Sequence, residues 1–397
     1  MSSEPATVVV KKGRAKPLWF GHPWLYSEAI AKVDGTVEAG DEVRVVDDAG
    51  RLVGRGFISP GSQIRVRMAS NKDRPLDDTW LATRLDDAVA TRARLGLPSK
   101  DTDAYRLVNG EGDFLPGVVI DVYGGVAVIQ PSTGAMVRRV DAIAAALVKL
   151  GFKQVVEVAS TSFAKVEGYE PRSRVVRGEV PAVVACKELG IHLEVEPLGG
   201  QKTGAFLDQR ENRALVGRLA KGARVLDLYS YAGGFGLAAL AGGAKSVTFV
   251  DASARALERA KRHLALNEKM VAGRPVELIE DDAVRYLERA PAAGFDLIVC
   301  DPPKFAKARK DVEGAIKAHR RLTTLALTAC AEGGVLVTAS CSQLVGEEEL
   351  ERVVAAAAHD AHRTIRVLER RSAGPDHPVV PGFSEGRYLS VLVCRAG

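Results

Sequence analysis

Short apolar runs recur along this chain, and their rhythm changes twice. Between residues 7 and 70, V-V-V-K-K-G-R-A-K-P-L, G-D-E-V-R-V-V-D, R-L-V-G-R-G-F-I-S and S-Q-I-R-V-R-M alternate apolar with polar positions, broken by Gly, Asp and Pro. A period of two predicts half-buried strands, here a small β-barrel or open sheet. N-K-D-R-P-L-D-D-T at 71–79 reads as a linker into a helix from about Trp80 to Leu95. Asp77, Asp78 or Thr79 would cap that helix, and L-G-L-P would stop it.

Residues 105–185 mix both periods. G-V-V-I-D-V-Y-G-G-V-A-V-I-Q predicts a hairpin turning at Gly124-Gly125. V-R-R-V-D-A-I-A-A-A-L-V-K-L predicts an amphipathic helix, while Q-V-V-E-V-A-S and S-R-V-V-R-G predict further strands, giving an α+β region. From about residue 191 the strands become unbroken apolar runs: V-L-D-L-Y, S-V-T-F-V-D, P-V-E-L-I, F-D-L-I-V-C-D and G-V-L-V-T-A-S. Helical stretches such as A-R-A-L-E-R-A-K-R-H-L-A-L-N-E and K-A-H-R-R-L-T-T-L-A-L-T-A-C-A alternate with them. Strands buried on both faces and joined by helices imply a parallel, doubly wound α/β sheet. The last run, R-Y-L-S-V-L-V-C, has no helix after it and is expected as an antiparallel edge strand. The domains expected are 1–73, 74–190 and 191–397.

Composition narrows the class. The 397 residues exceed one ordinary core, and 46% hydrophobic with 26% charged is globular. No apolar run is long enough to span a bilayer, and M-S-S-E-P-A-T-V-V-V-K-K does not read as a signal peptide. The formal charge of +5 suits an anionic partner. The five cysteines are scattered without a C-x-x-C, so the expectation is a reducing cytoplasm with no disulfide framework and no structural zinc. His359 and His362 form a close pair with no third ligand, so no metal is expected.

Candidate chemistry gathers at the strand ends of the last region. After V-L-D-L-Y, the turn S-Y-A-G-G-F-G leads into an apolar helix, where a backbone can approach a ligand closely. Asp251 ends the second strand, 24 positions after Asp227, where an acid can hold ribose hydroxyls. Asp281 and Asp282 follow the third strand and could hold an adenine amino group. Each acid alone could be a helix cap. No phosphate-binding loop is present, so a neutral or cationic adenosine ligand such as S-adenosylmethionine fits better than a dinucleotide.

The fourth strand ends in D-P-P-K-F. Its prolines fix φ and carry no amide donor, leaving nearby carbonyls and Asp301 to accept bonds from a base. Methylation of an exocyclic amine needs little more. Carbon 5 of cytosine needs a thiolate added at carbon 6 first. Cys341, in T-A-S-C-S-Q-L-V at the end of the fifth strand, stands where such a thiolate would act; a buried structural thiol is the other reading. Cys300 lies inside its strand and reads as core.

Together S-Y-A-G-G-F-G, V-D-A-S, D-D-A, D-P-P-K-F and S-C-S, preceded by Q-K-T-G-A-F-L-D-Q-R, resemble the RlmI-type class I S-adenosylmethionine-dependent ribosomal RNA methyltransferases. G-R-A-K-P-L-W-F-G-H-P-W-L-Y followed by G-D-E-V-R-V-V-D resembles that family's PUA domain, a small RNA-binding β-barrel. The resemblance covers essentially the whole chain. It implies a Rossmann-like methyltransferase domain at the C-terminus, a PUA β-barrel at the N-terminus and a central α+β domain. It also implies cytosine-5 methylation of large-subunit ribosomal RNA.

By position, the resemblance implies that Tyr229, Ser230, Ala232, Gly233, Gly234, Phe235 and Gly236, with Asp227 and Gln209, line the cofactor. Asp251 would hold its ribose and Asp282 its adenine, with Ala252, Ser253 and Asp281 beside them also expected to bind the cofactor. Asp301 would face cofactor and target base, and Cys341 would be the nucleophile. Many RNA cytosine-5 methyltransferases carry a second cysteine where this chain has Lys304. Lys11, Lys12, Arg14 and Lys16, near Trp19 and Phe20, suit phosphate contact with stacking, and a solvated edge strand is the alternative. Lys304 and Lys307, followed by Arg309 and Lys310, lie where RNA phosphates would pass a flipped base. His22 is expected to be structural. A homodimer is allowed. Two alternatives remain: a guanine N-methyltransferase of ribosomal RNA using the D-P-P loop alone, and a non-catalytic RNA-binding assembly factor.

Overall fold

Alternation sets the strands of the N-terminal region. In a computed structural model, which describes residues 4–199, 205–290, 292, 294–306 and 308–397, β1 (Ala6–Val10), β2 (Trp24–Tyr26), β3 (Ile30–Asp34), β4 (Glu42–Val46), β5 (Leu52–Ile58) and β6 (Ile64–Ser70) form one sheet, ordered β2-β6-β5-β4-β1-β3. Val8, Val10, Val43, Val45, Val53, Ile58 and Val66 share its apolar core. The expected strands are present; β2 and β3 are additional, β2 being only three residues long.

The chain divides into two units. Unit 1 holds residues 1–188, 194–207 and 375–386; unit 2 holds 189–193, 208–374 and 387–397. Besides the first sheet, unit 1 contains β7 (Ala104–Asn109), β8 (Val118–Tyr123), β9 (Val126–Pro131), β10 (Gln154–Glu157) and β11 (Arg174–Arg177), in the order β11-β10-β9-β8-β7. The β8–β9 hairpin turns at Gly124 and Gly125, with φ of 54° and 88°. These left-handed values favour glycine. The helix Asp78–Arg94 is capped by Asp77, whose carboxylate accepts from the Trp80 amide at 2.9 Å. Helix Val140–Lys149 buries Val140, Ile143, Ala144 and Leu147, the 3–4 spacing of one face.

β12 (Val184–Glu188) and β13 (Ile191–Val195) lie where the chain passes from one unit to the other. In unit 2, β14 (Arg224–Leu228), β15 (Ser246–Asp251), β16 (Val276–Glu280), β17 (Phe295–Cys300), β18 (Cys330–Ser340), β19 (Ile365–Arg371) and β20 (Ser390–Ala396) form a sheet ordered β16-β15-β14-β17-β18-β20-β19. β14 to β18 are parallel to their neighbours in that run. Both faces are covered. Val225, Val247, Phe249, Leu297 and Val337 pack with helices Arg210–Leu219, Gly234–Ala241 and Ala254–Leu266. Leu226, Leu228, Val250, Ile298 and Leu336 pack against helices Ala283–Arg289, Val312–Ala329 and Glu347–Asp360. Two-sided burial is why these strands read as unbroken apolar runs.

One expectation is corrected. The last run, β20, is antiparallel, but it lies between β18 and β19. The edge is β19, I-R-V-L-E-R-R, whose charged residues blunt an unpaired strand side.

Candidate active site

Strand order reverses between β14 and β17, so the loops following them border the crevice at the carboxyl edge where open α/β sheets bind ligands. Register aligns the strand ends: Leu228 pairs with Val250 and Cys300, and Cys300 with Thr338. Tyr229, Asp251 and Asp301 therefore leave the sheet at one level, and Cys341 follows a few residues along β18.

The turn after β14 is tightly built. Tyr229 and Tyr231 both take left-handed φ, 57° and 49°, and Gly233 follows at 82°. For a residue with a side chain this conformation costs about 1–2 kcal/mol, so something outside must hold it. The Ser230 amide donates to the Val250 carbonyl at 3.1 Å, the Gly233 amide to the Ser230 carbonyl at 2.7 Å, and the Tyr231 amide to Asp251 at 2.8 Å. Asp251 also accepts from the Ser253 amide at 2.9 Å, and Ser253 caps helix Ala254–Leu266. Ala252 and Ser253 are exposed.

Glycine is required here partly for packing. A Cβ on Gly236 would sit 2.0 Å from the Phe249 ring, and one on Gly234 3.0 Å from Arg213. The Phe235 ring lies beside the Arg213 guanidinium, 5.9 Å from centroid to Cζ.

Asp227 is fully buried; one oxygen accepts from the Gly236 amide at 2.8 Å and the other, Oδ1, has no partner. Burial, seconded by the Asp301 and Asp251 carboxylates, pushes its pKa up to about 7 against the pull of the Gly236 amide and Arg213. Ser230 Oγ is likewise buried without a partner. Two unsatisfied polar atoms beside a Gly-rich turn are costly unless a ligand meets them, and a carboxylate among carboxylates suits a cation. These residues fit S-adenosylmethionine.

The adenine candidates separate. Asp281 accepts from the Asp282 amide and is ion-paired with Arg289 and Arg285. Asp282 caps helix Ala283–Arg289 through the Arg285 amide at 3.0 Å, so the helix-cap reading holds for it. Asp282 also lines a cavity of about 460 Å³ with Tyr229, Val284, Phe305 and Ala318, within the usual range for small-ligand sites. Gln209 is buried and accepts from Asn212 at 2.6 Å.

On the reaction side, Cys341 Sγ lies 3.9 Å from the Pro302 carbonyl oxygen. Cys341 is half-buried, whereas Cys186, Cys300, Cys330 and Cys394 are buried. Burial raises the thiol pKa of those four, Cys330 to about 11 and Cys394 to about 12. The flanking hydroxyls serve the loop: Ser340 Oγ donates to the Val345 carbonyl at 2.9 Å, and Ser342 Oγ to the Ala306 carbonyl at 3.3 Å. Ala306, Ala315 and Val345 form a buried cluster joining the two loops. Phe305 meets His319 edge-on at 4.8 Å; burial pushes the His319 pKa down to about 4, so the ring is neutral. Neither the Ser342 tether nor the His319 contact was anticipated. The S-C-S triplet signalled the first, and the second had no local signal.

The cations expected to meet RNA lie on the surface. Lys11, Lys12, Arg14 and Lys16 are exposed, as are Trp19 and Phe20. Lys304 is exposed; Lys307 lies outside the described residues. His22 is held structurally, its Nδ1 within 3.2 Å of the Trp24 amide and its ring edge-on to Phe383.

A family model for S-adenosylmethionine-dependent methyltransferases matches residues 157–388, and one for PUA-like domains matches residues 8–71. Proteins named ribosomal RNA large subunit methyltransferase I are similar over nearly the full length. That of Alteromonas mediterranea is 40% identical, covering 98% of each chain, and that of Tolumonas auensis 41%, covering 98% of this chain and 99% of its own. The chain belongs to the RlmI-type family of S-adenosylmethionine-dependent methyltransferases. A solved methyltransferase of the same architecture, SMU.776 complexed with SAH, superposes with a TM-score of 0.83 at 25% identity, covering 98% of this chain and 99% of its own. The RlmI-type chain is thus a methyltransferase with a PUA-like N-terminal domain, and S-adenosylmethionine is its cofactor.

Proposed function

We propose that this methyltransferase acts on carbon 5 of a cytosine in large-subunit ribosomal RNA, with Cys341 as the nucleophile. The observation that carries the reading is the half-buried Cys341 thiol against the D-P-P loop. The names of the relatives supply the RNA class.

Bound S-adenosylmethionine supplies an electrophilic methyl carried on a sulfonium. Cys341 gives up its proton and its sulfur bonds to carbon 6, which moves the C5–C6 π pair onto carbon 5. Carbon 5 takes the methyl as the S–CH3 bond breaks, its pair staying on sulfur so that S-adenosylhomocysteine leaves; carbon 5 then loses its proton to water. The C5–H pair restores the double bond as the S–C6 bond breaks and the thiolate is returned. The Pro302 carbonyl and Asp301 accept from the cytosine exocyclic amine, and Asp227 with Ser230 meets the methionine end of the cofactor. Asp251 holds the ribose, and Asp282 beside Tyr229 and Phe305 holds the adenine. Lys11, Lys12, Arg14 and Lys16 contact RNA phosphates while Trp19 and Phe20 stack on bases; Lys304 contacts phosphate beside the target. Such a substrate places the work in the cytoplasm.

The test is to incubate the protein with labelled S-adenosylmethionine and unmodified ribosomal RNA, then digest to nucleosides. Label in 5-methylcytidine is expected. Label in an N-methylated guanosine would instead support the D-P-P loop acting alone, and no transfer with no cofactor binding would support an assembly factor.

A further inference from the structure

Besides Val250 and Asp251, the strained turn after β14 is held from the helix that follows β15. Helix Ala254–Leu266 buries Ala256, Leu257, Ala260 and Leu264 as a sheet-covering helix should, and it also buries Arg259 and His263. These two are four residues apart, so they share one face. Burying an arginine and a histidine is unfavourable unless both are engaged. Both reach the same turn. Arg259 Nη1 donates to the Tyr231 hydroxyl at 3.0 Å, and its guanidinium lies 5.8 Å from the Tyr231 ring centroid. His263 Nδ1 lies 2.9 Å from the Ala232 carbonyl, which can only accept, so that nitrogen carries the proton. Asn267, four residues further on, donates to the His263 carbonyl at 2.7 Å and closes the row.

We infer that Arg259 and His263 are positioning residues of the cofactor site, clamping Tyr231 and Ala232 so that the left-handed turn presents Ser230 to S-adenosylmethionine. The clamp lets the turn keep its ligand-binding shape when no ligand is bound, so binding does not have to order it. The inference rests on reading residues 229–236 as the seat of the cofactor.

The test titrates S-adenosylhomocysteine into the full-length protein by calorimetry. Arg259→Met and His263→Leu are each expected to weaken binding by about tenfold, the loss of one hydrogen bond to a charged or buried partner. RNA affinity should not change. Tyr231→Phe removes only the hydroxyl that Arg259 reaches, and it serves where Arg259→Met does not fold. The double variant Arg259→Met with Tyr231→Phe should bind no more weakly than Arg259→Met, since both changes remove the same hydrogen bond. Unchanged affinity with a lower melting temperature or a lower binding stoichiometry would reduce both residues to packing and overturn the inference. Asp251→Asn separates the two levels. If it weakens binding and the clamp variants do not, the clamp alone fails; if it too leaves affinity unchanged, the cofactor is seated elsewhere.

Discussion

Cys341 Sγ and the Pro302 carbonyl oxygen stand 3.9 Å apart, although 39 residues separate them in the chain. The parallel pairing of β17 with β18 creates this proximity, and the two loops stay together through the Ser342–Ala306 hydrogen bond and the Ala306–Val345 cluster. A thiol beside a carbonyl acceptor, at the edge where the cofactor loop also ends, fits the carbon-5 chemistry proposed above.

Ser342→Ala should separate placement from reactivity. The substitution removes the donor to the Ala306 carbonyl in a buried setting, at a stability cost of about 1 kcal/mol. Release of the loop should lower kcat by about ten- to a hundredfold, since small misplacements of reacting groups are expensive. Affinity for S-adenosylhomocysteine should be unchanged. Steady-state kinetics and urea denaturation of the variant check both parts.

Gly236→Ala should damage the fold before it damages the chemistry. The new methyl would lie 2.0 Å from the Phe249 ring. Overpacking of this kind costs about 1–3 kcal/mol. Phe249→Leu in the same chain should recover part of the loss, which thermal denaturation of the single and double variants would detect.

Asp227 should give the apo protein a distinctive pH dependence. Its pKa is raised from 3.8 to about 7 by burial and by Asp301 and Asp251. Between these values the unfolded chain loses the proton while the folded chain keeps it. The Asp227 contribution to stability is therefore greatest below the unfolded value and declines as pH rises toward about 7. In Asp227→Asn that decline should vanish, so the stability difference between wild type and variant should change across this window. Cationic S-adenosylmethionine favours the ionised carboxylate, so wild-type affinity should rise with pH through the same range. Denaturant titrations across pH, with and without cofactor, measure both effects.

Much of this was legible in the sequence because the signals are local. The Asp77 cap, the Gly124-Gly125 turn, the helical spacing of Val140, Ile143 and Leu147, and the two-sided burial of β14 to β18 all lie within single elements. Asp251, Asp301 and Cys341 stand out in the sequence because each closes an apolar run. What escaped depends on distant partners. Gly236 is required by Phe249, a residue of the following strand. Arg259 and His263 look like the polar face of an amphipathic helix, because spacing does not tell an inward polar residue from an outward one. β19 was hidden by its charges, and β20 was assigned to the edge because no helix follows it.

The most direct test of the account uses ribosomal RNA carrying 5-fluorocytosine. Fluorine at carbon 5 cannot leave as a proton does, so an enzyme that has bonded to carbon 6 and transferred its methyl remains attached to the RNA. With S-adenosylmethionine present, the wild-type protein should form a denaturation-resistant RNA adduct that mass spectrometry maps to Cys341. Cys341→Ala should form no adduct and no 5-methylcytidine on normal RNA, while still binding S-adenosylhomocysteine. Wild-type amounts of methylated RNA made by Cys341→Ala would contradict the account.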